Sequence, residues 1–242
     1  MRAAQVPVAM SAGFTPRPRL SFGLALPTGA ESTAEYLDVV IEAERMPTVP
    51  DTSTWLLERV APVLPPGLTF DAAVEVPVGA PSLQEVVVAS TWELTLQATP
   101  GLGDGEELGR AVERVLRAPE LPLARERKGV TSIDDVRPSI ESLVPGRRHE
   151  DLHLTAVLMT EGRALRPAEL MRTLLPECDP FEVLVRVLRT RQWIDDDGAR
   201  RELLPAAGAP TSARGETIWT RPIPPPGLSP TPASPRALLT TI

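Results

Sequence analysis

In Asp151-Leu152-His153-Leu154-Thr155-Ala156-Val157-Leu158-Met159-Thr160, apolar residues recur at every second position: Leu152, Leu154, Ala156 and Leu158. A period of two is the mark of a strand with one buried face. Downstream, Arg166-Pro167 starts a helix, with proline in its first turn, and Leu170, Met171, Leu174 and Leu175 form its inner face. Phe181 to Trp193 is again a strand, with Val183, Val185 and Val187 alternating against Leu184, Arg186 and Leu188. Upstream, Ser132 to Leu143 is extended or contains a short turn, and Leu123 to Lys128 begins a strand. Glu106 to Leu116 is a helix that turns Leu108, Val112, Val115 and Leu116 inward, and Trp92-Glu93-Leu94-Thr95-Leu96 is a strand. Between those two lies a loop with Gly101, Gly103 and Gly105, in which Asp104 is a candidate cap. The order strand–helix–strand–strand–helix–strand is the ferredoxin-like split βαβ unit.

The first half gives a shorter version of the same order. Leu20 to Leu26 is a strand and Pro27-Thr28-Gly29-Ala30 a turn. Glu35 to Glu42 alternates, with Leu37, Val39 and Ile41 on the apolar face. Asp51 or Thr52 caps a helix from Ser53 to Leu64, which Pro65-Pro66-Gly67 ends. Leu68 to Val76 is a strand, and residues 82–89 form a short helix or connecting strand. The fold expected is therefore α+β: two tandem ferredoxin-like domains, 1–90 and 91–194, the first incomplete. Residues 195–242 form a tail with nine prolines from Pro205 onward, too proline-rich for a core and expected to be disordered or polyproline-like.

Composition bounds the function. Net charge is −7, so no global field draws the chain to nucleic acid, and any such site is a local patch. Residues 1–90 carry 5 basic and 10 acidic groups. Lys128 is the only lysine among 25 basic residues, a bias that a GC-rich genome also produces. One cysteine, Cys178, excludes an internal disulfide and a zinc or iron–sulfur site built from this chain's own thiolates. No apolar run approaches the ~20 residues of a membrane helix, and Gln5 and Pro7 interrupt the short apolar start. A cytoplasmic protein without membrane contact fits.

Gly13-Phe14-Thr15-Pro16-Arg17-Pro18-Arg19-Leu20-Ser21-Phe22-Gly23 is the stretch densest in chemistry. Two prolines fix φ, remove two backbone donors and hold the preceding residues extended. Arg17 and Arg19 thus project from a stiff segment, placed to grip a phosphate or carboxylate bidentately. A stiff surface loop that sets hairpin register is the plainer reading. Arg125, Arg127, Lys128 and Arg137 form a second basic cluster, with Glu126, Asp134 and Asp135 interspersed as in a solvated ion-paired face. The candidate binding residues are Arg17, Arg19, Arg127, Lys128 and Arg137.

No catalytic or metal set emerges. His149, in the loop Arg147-Arg148-His149, and His153 are the only histidines, and each reads as an ordinary one. The glycine loop lacks the spacing of a phosphate cradle, and Asp104, Glu106 and Glu107 would repel phosphate. Asp195-Asp196-Asp197 reads as a charged strand exit, and Trp92 and Trp193 read as core plugs. No cofactor or metal is expected on this chain.

Several of these stretches resemble one family. Gly13 to Gly23, then Leu26-Pro27-Thr28-Gly29 and Glu31-Ser32-Thr33-Ala34-Glu35-Tyr36-Leu37-Asp38, resemble the N-terminal signature of the uncharacterised bacterial radical-SAM-linked, or radical-SAM-associated, proteins. Pro81-Ser82-Leu83, Arg127-Lys128-Gly129 and Asp135-Val136-Arg137-Pro138 resemble its later motifs. Beside that pattern the chain lacks the first strand and most of the first helix, with Arg2 to Val8 as the end of that helix. The resemblance implies a companion of a radical-SAM enzyme, with a link to RNA. The expected function is a non-catalytic accessory or substrate-presenting partner, contacting RNA or the enzyme through a local basic face. An RNA-processing or RNA-modifying enzyme of the tandem ferredoxin-like type is the alternative, by fold analogy.

Overall fold

The computed structural model describes residues 1–76, 80–97, 102, 105–196, 198–204 and 236–241, with backbone alone for Arg127 and for 236–241. In chain order the elements are β1 (Leu20–Phe22), β2 (Glu31–Ser32), β3 (Glu35–Val40), α1 (Thr52–Val60), β4 (Phe70–Val76), α2 (Leu83–Val86) and β5 (Val87–Leu96). There follow α3 (Glu106–Arg117), β6 (Pro122–Arg127), β7 (Val130–Asp135), β8 (Ile140–Arg148), β9 (Asp151–Met159) and α4 (Pro167–Leu174). The last are α5 (Pro180–Val183), β10 (Leu184–Asp196), β11 (Ala199–Glu202) and β12 (Arg236–Thr241). The fold is α+β, with several sheets and short helices. None of the described helices is long and apolar enough to cross a membrane.

Two compact units divide the chain. One comprises Met1–Ala25, Ala34–Val87 and Ile194–Ile242; the other comprises Leu26–Thr33 and Val88–Trp193. In the second unit, β10, β5, β9 and β8 lie side by side in that order, with β2 parallel to β10 through Leu188 opposite Glu31. Counted along the chain as four, one, three and two, this order is compatible with a ferredoxin-like unit. β5 and β9 run antiparallel from Ala89 opposite Met159 to Leu96 opposite Leu152. Trp92, Leu94 and Leu96 of β5, Leu152, Leu154, Ala156 and Leu158 of β9, Leu108, Val112 and Val115 of α3, and Leu170, Met171 and Leu174 of α4 share one core. The alternation in β9 and the helical spacing in α3 and α4 thus meet, as their patterns require. Trp92 is a core plug, and its indole donates to Ser90 Oγ at 2.9 Å.

Several local readings change. Phe181 to Val183, read as the start of a strand, belong to the helical turn α5, and the strand begins at Leu184. Leu123–Lys128 and Ser132–Leu143 do not supply one sheet strand between them. β6 and β7 instead pair with each other as a separate hairpin, Pro122 opposite Asp135 and Arg127 opposite Val130. Lys128 and Gly129 both have positive φ (52° and 78°), which is what a two-residue hairpin turn demands. The strand beside β9 is β8, and it runs on through Pro145-Gly146-Arg147-Arg148, so that Arg147 and Arg148, read above as loop, are strand. β8 is the edge of its sheet, where a proline costs little pairing.

In the first unit the sheet order is β1-β3-β12-β4, antiparallel throughout. Both faces of β3 are covered. Val39, with Ile41 just past the strand, packs with Leu56 and Val60 of α1, while Tyr36 packs with Leu83, Ile194, Leu203 and Leu204. Residues 1–6 carry the paired bonds that close an α-helix: Val6 N donates to Met1 O (3.2 Å), Gln5 N donates to Arg2 O (3.0 Å), and Gln5 has φ 56°. The final stretch of the tail, Arg236–Thr241, is a strand inside this sheet. It begins just after the last proline, and it is long enough to hold a ladder on each side. Residues 205–235 and Asp104 lie outside the described residues.

Candidate functional site

Residues 8–20 build a stem and a tip. Val8 bridges Ile41 and Met10 bridges Pro18. Arg19 N donates to Ala9 O (2.8 Å), Ser11 N to Arg17 O (2.8 Å) and Arg17 N to Ser11 Oγ (3.0 Å), and Val40 N donates to Arg19 O (3.1 Å). Pro16 and Pro18 have no N–H to leave unpaired, and the amides of Arg17, Arg19 and Leu20 are all bonded. Arg17 and Arg19 are exposed, and among the described residues neither guanidinium has a hydrogen-bond or ion-pair partner. Phe14 stands at the tip with a relative exposure of 111 %, and Leu20 and Phe22 of the edge strand β1 are exposed too. Arginine beside exposed aromatics is the composition that contacts phosphate and stacked bases in single-stranded nucleic acid. The sequence reading passed over Phe14. Its signal was an aromatic inside a Gly/Pro loop, outside any alternating pattern.

The second basic cluster is built differently. Arg125, whose side chain is only 3 % exposed, donates through Nε and Nη2 to both carboxylate oxygens of Glu169 (3.0 and 2.9 Å). It also donates to the carbonyls of Arg163 (3.0 Å) and Ala164 (2.7 Å). Asp134 lies 3.5 Å from Arg125 and 3.6 Å from Arg163. Glu169 has a second task in the first turn of α4, accepting from Arg166 N at 2.9 Å. This buried network, rather than a solvated face, joins the β6–β7 hairpin to the start of α4. Arg137 is likewise committed: its guanidinium donates to Ile140 O (2.8 Å) and to Leu116 O at the end of α3 (3.0 Å). The amides of Leu121 and Arg137 donate to Asp135 Oδ1 (2.7 and 3.0 Å) and hold its carboxyl below the usual value. Lys128 is exposed at the hairpin tip, and the side chain of Arg127 lies outside the described residues. A cleft of about 630 Å³ runs beside the hairpin, lined by Val130, Ser132, Asp134, Ser139, Glu161 and Arg163 among others.

The five predicted binding residues therefore fall into separate units: Arg17 and Arg19 in the first, Arg127, Lys128 and Arg137 in the second. His153 Nε2 is 3.9 Å from Glu93 Oε2, which Arg148 also approaches at 3.4 Å. Among the described residues no group of three His, Cys, Asp or Glu side chains is placed to hold a metal. Asp195 accepts from Gly198 N at 2.8 Å in the turn between β10 and β11, and Asp196 pairs with Arg201. Cys178 packs against the core of the second unit.

No curated protein and no solved structure matches the chain. A family model described as an uncharacterised protein conserved in bacteria (DUF2344) matches residues 1–167, more than half of the sequence, and the chain belongs to that family.

Proposed function

We propose that this protein is a non-catalytic accessory or substrate-presenting partner of a radical-SAM enzyme, and that the loop carrying Phe14, Arg17 and Arg19 engages an anionic group on RNA or on the enzyme. One observation carries the choice of surface. Of the predicted basic residues with described side chains, Arg137 spends its donors on main-chain carbonyls and Lys128 is exposed at a hairpin tip of the second unit, while Arg17 and Arg19 stand exposed and uncommitted close together on one pinned loop. Their backbone is already held by the stem, so binding an anion orders only the side chains, a smaller entropy cost than ordering a free loop. The radical-SAM link rests on the resemblance of the motifs, and all of these lie within residues 1–167, the span of the family match.

The RNA arm is tested by titrating the full chain into labelled single-stranded RNA across a salt series. Affinity is expected to fall with salt. Arg17→Ala with Arg19→Ala should lower the slope of log K against log salt by about 1.4, two phosphate contacts' worth on a single strand. A double variant with an unchanged slope overturns the RNA role of this loop. Binding that is undetectable leaves the enzyme as the only anionic partner.

A further inference from the structure

The two units fill one corresponding position in different ways. In the second unit β5, first of its own strands in the β10-β5-β9-β8 sheet, lies between β9 and β10. In the first unit the slot between β3 and β4 holds β12, from the far end of the sequence. β12 is antiparallel to both neighbours. Arg236 lies opposite Val40 and Val76, Ala237 opposite Val39 and Glu75, and Leu239 opposite Leu37 and Ala73. Among the described residues β4 has no other strand partner, so six residues supply every ladder contact it has. Residues 205–235 tether that strand, with nine prolines, and none follows Pro235. A tether of this length reaches up to roughly 100 Å when extended, several times the radius of a 100-residue domain, about 13 Å.

We infer that Arg236–Thr241 is an exchangeable strand: it closes its own unit when chains are dilute and passes to a second copy when they are concentrated, making the slot between β3 and β4 the interface of a swapped homodimer. The ladder is the same in either arrangement, so the tether's effective concentration, about millimolar, decides which one forms. A central slot also protects the exchange. Two open edges pair an incoming strand on both sides, which one edge cannot do.

The test uses full chains with Cys178→Ser, so that introduced thiols are the only ones. Glu75→Cys and Ala237→Cys sit directly opposite each other, within the span a disulfide bridges. In one chain carrying both, refolding and oxidation at about 10 µM should give a covalent monomer. Mixed single variants refolded at about 1 mM should give a covalent heterodimer, scarce at about 10 µM. An Arg45→Cys chain, out of register with the slot, should not cross-link to Ala237→Cys. Closure in the double variant with no heterodimer at either concentration overturns the exchange. No closure in the double variant overturns the strand placement itself.

Discussion

Arg125 and Arg17 are the same side chain in opposite circumstances. Arg125 is enclosed by Glu169, Asp134 and two carbonyls, and removing it strands a mostly buried carboxylate. Arg125→Met is expected to cost about 3–5 kcal/mol, lowering the unfolding midpoint by more than about 10 °C. Arg17→Ala with Arg19→Ala should stay within about 0.5 kcal/mol of the parent in the same melt. Tyr36 offers a pH test, because it is the only tyrosine. Burial, then the nearby carboxylate of Glu202, pushes its pKa up to about 12. The folded value exceeds the unfolded value of about 10. The stability it lends is therefore complete below pH 10 and drains away as pH rises towards 12. Tyrosinate absorbance should show a midpoint near 12 in the folded protein and near 10 in concentrated urea. Tyr36→Phe should remove the matching part of the alkaline stability loss. Arg17 and Arg19 were legible because prolines flank them. The duties of Arg125 and Arg137 were not, because their acceptors include main-chain carbonyls, which leave no mark in the sequence.

Elements with a local signal were the readable ones. Asp51 caps α1 through the amides of Ser53 (3.1 Å) and Thr54 (3.0 Å), and Thr54 and Ser53 hold its carboxyl below the usual value. Asp51→Ala should cost about 1 kcal/mol in denaturant unfolding. Gly105 precedes α3 with φ 103°, and a Cβ there would come within 2.9 Å of Leu152 Cδ2. Gly105→Ala should therefore destabilise by more than the roughly 1 kcal/mol of a strained backbone alone, since it also presses on β9. The β6–β7 hairpin was missed because its turn, Lys128-Gly129, puts a lysine in the left-handed region, where asparagine or aspartate is the usual signal. β12 was hidden by its neighbourhood. Six strand-competent residues follow nine prolines, and their partners lie some 160 to 205 positions upstream.

For the whole molecule, the α+β class followed from two periodicities, two in the strands and 3.6 in α3 and α4, that converge on one core in the second unit. What periodicity does not encode is which strand fills a central slot, since an apolar strand from either end of the chain satisfies the same ladder. Function was legible as far as a pinned basic loop and a family resemblance. The central proposal, an accessory protein that meets a radical-SAM enzyme through Phe14, Arg17 and Arg19, is tested most directly by co-purifying the full chain with a radical-SAM enzyme of the same genome. At micromolar concentrations the parent chain should co-elute, and Arg17→Glu with Arg19→Glu should abolish co-elution while melting like the parent. Failure of the parent to co-elute, or equal retention of the double variant, would contradict the account.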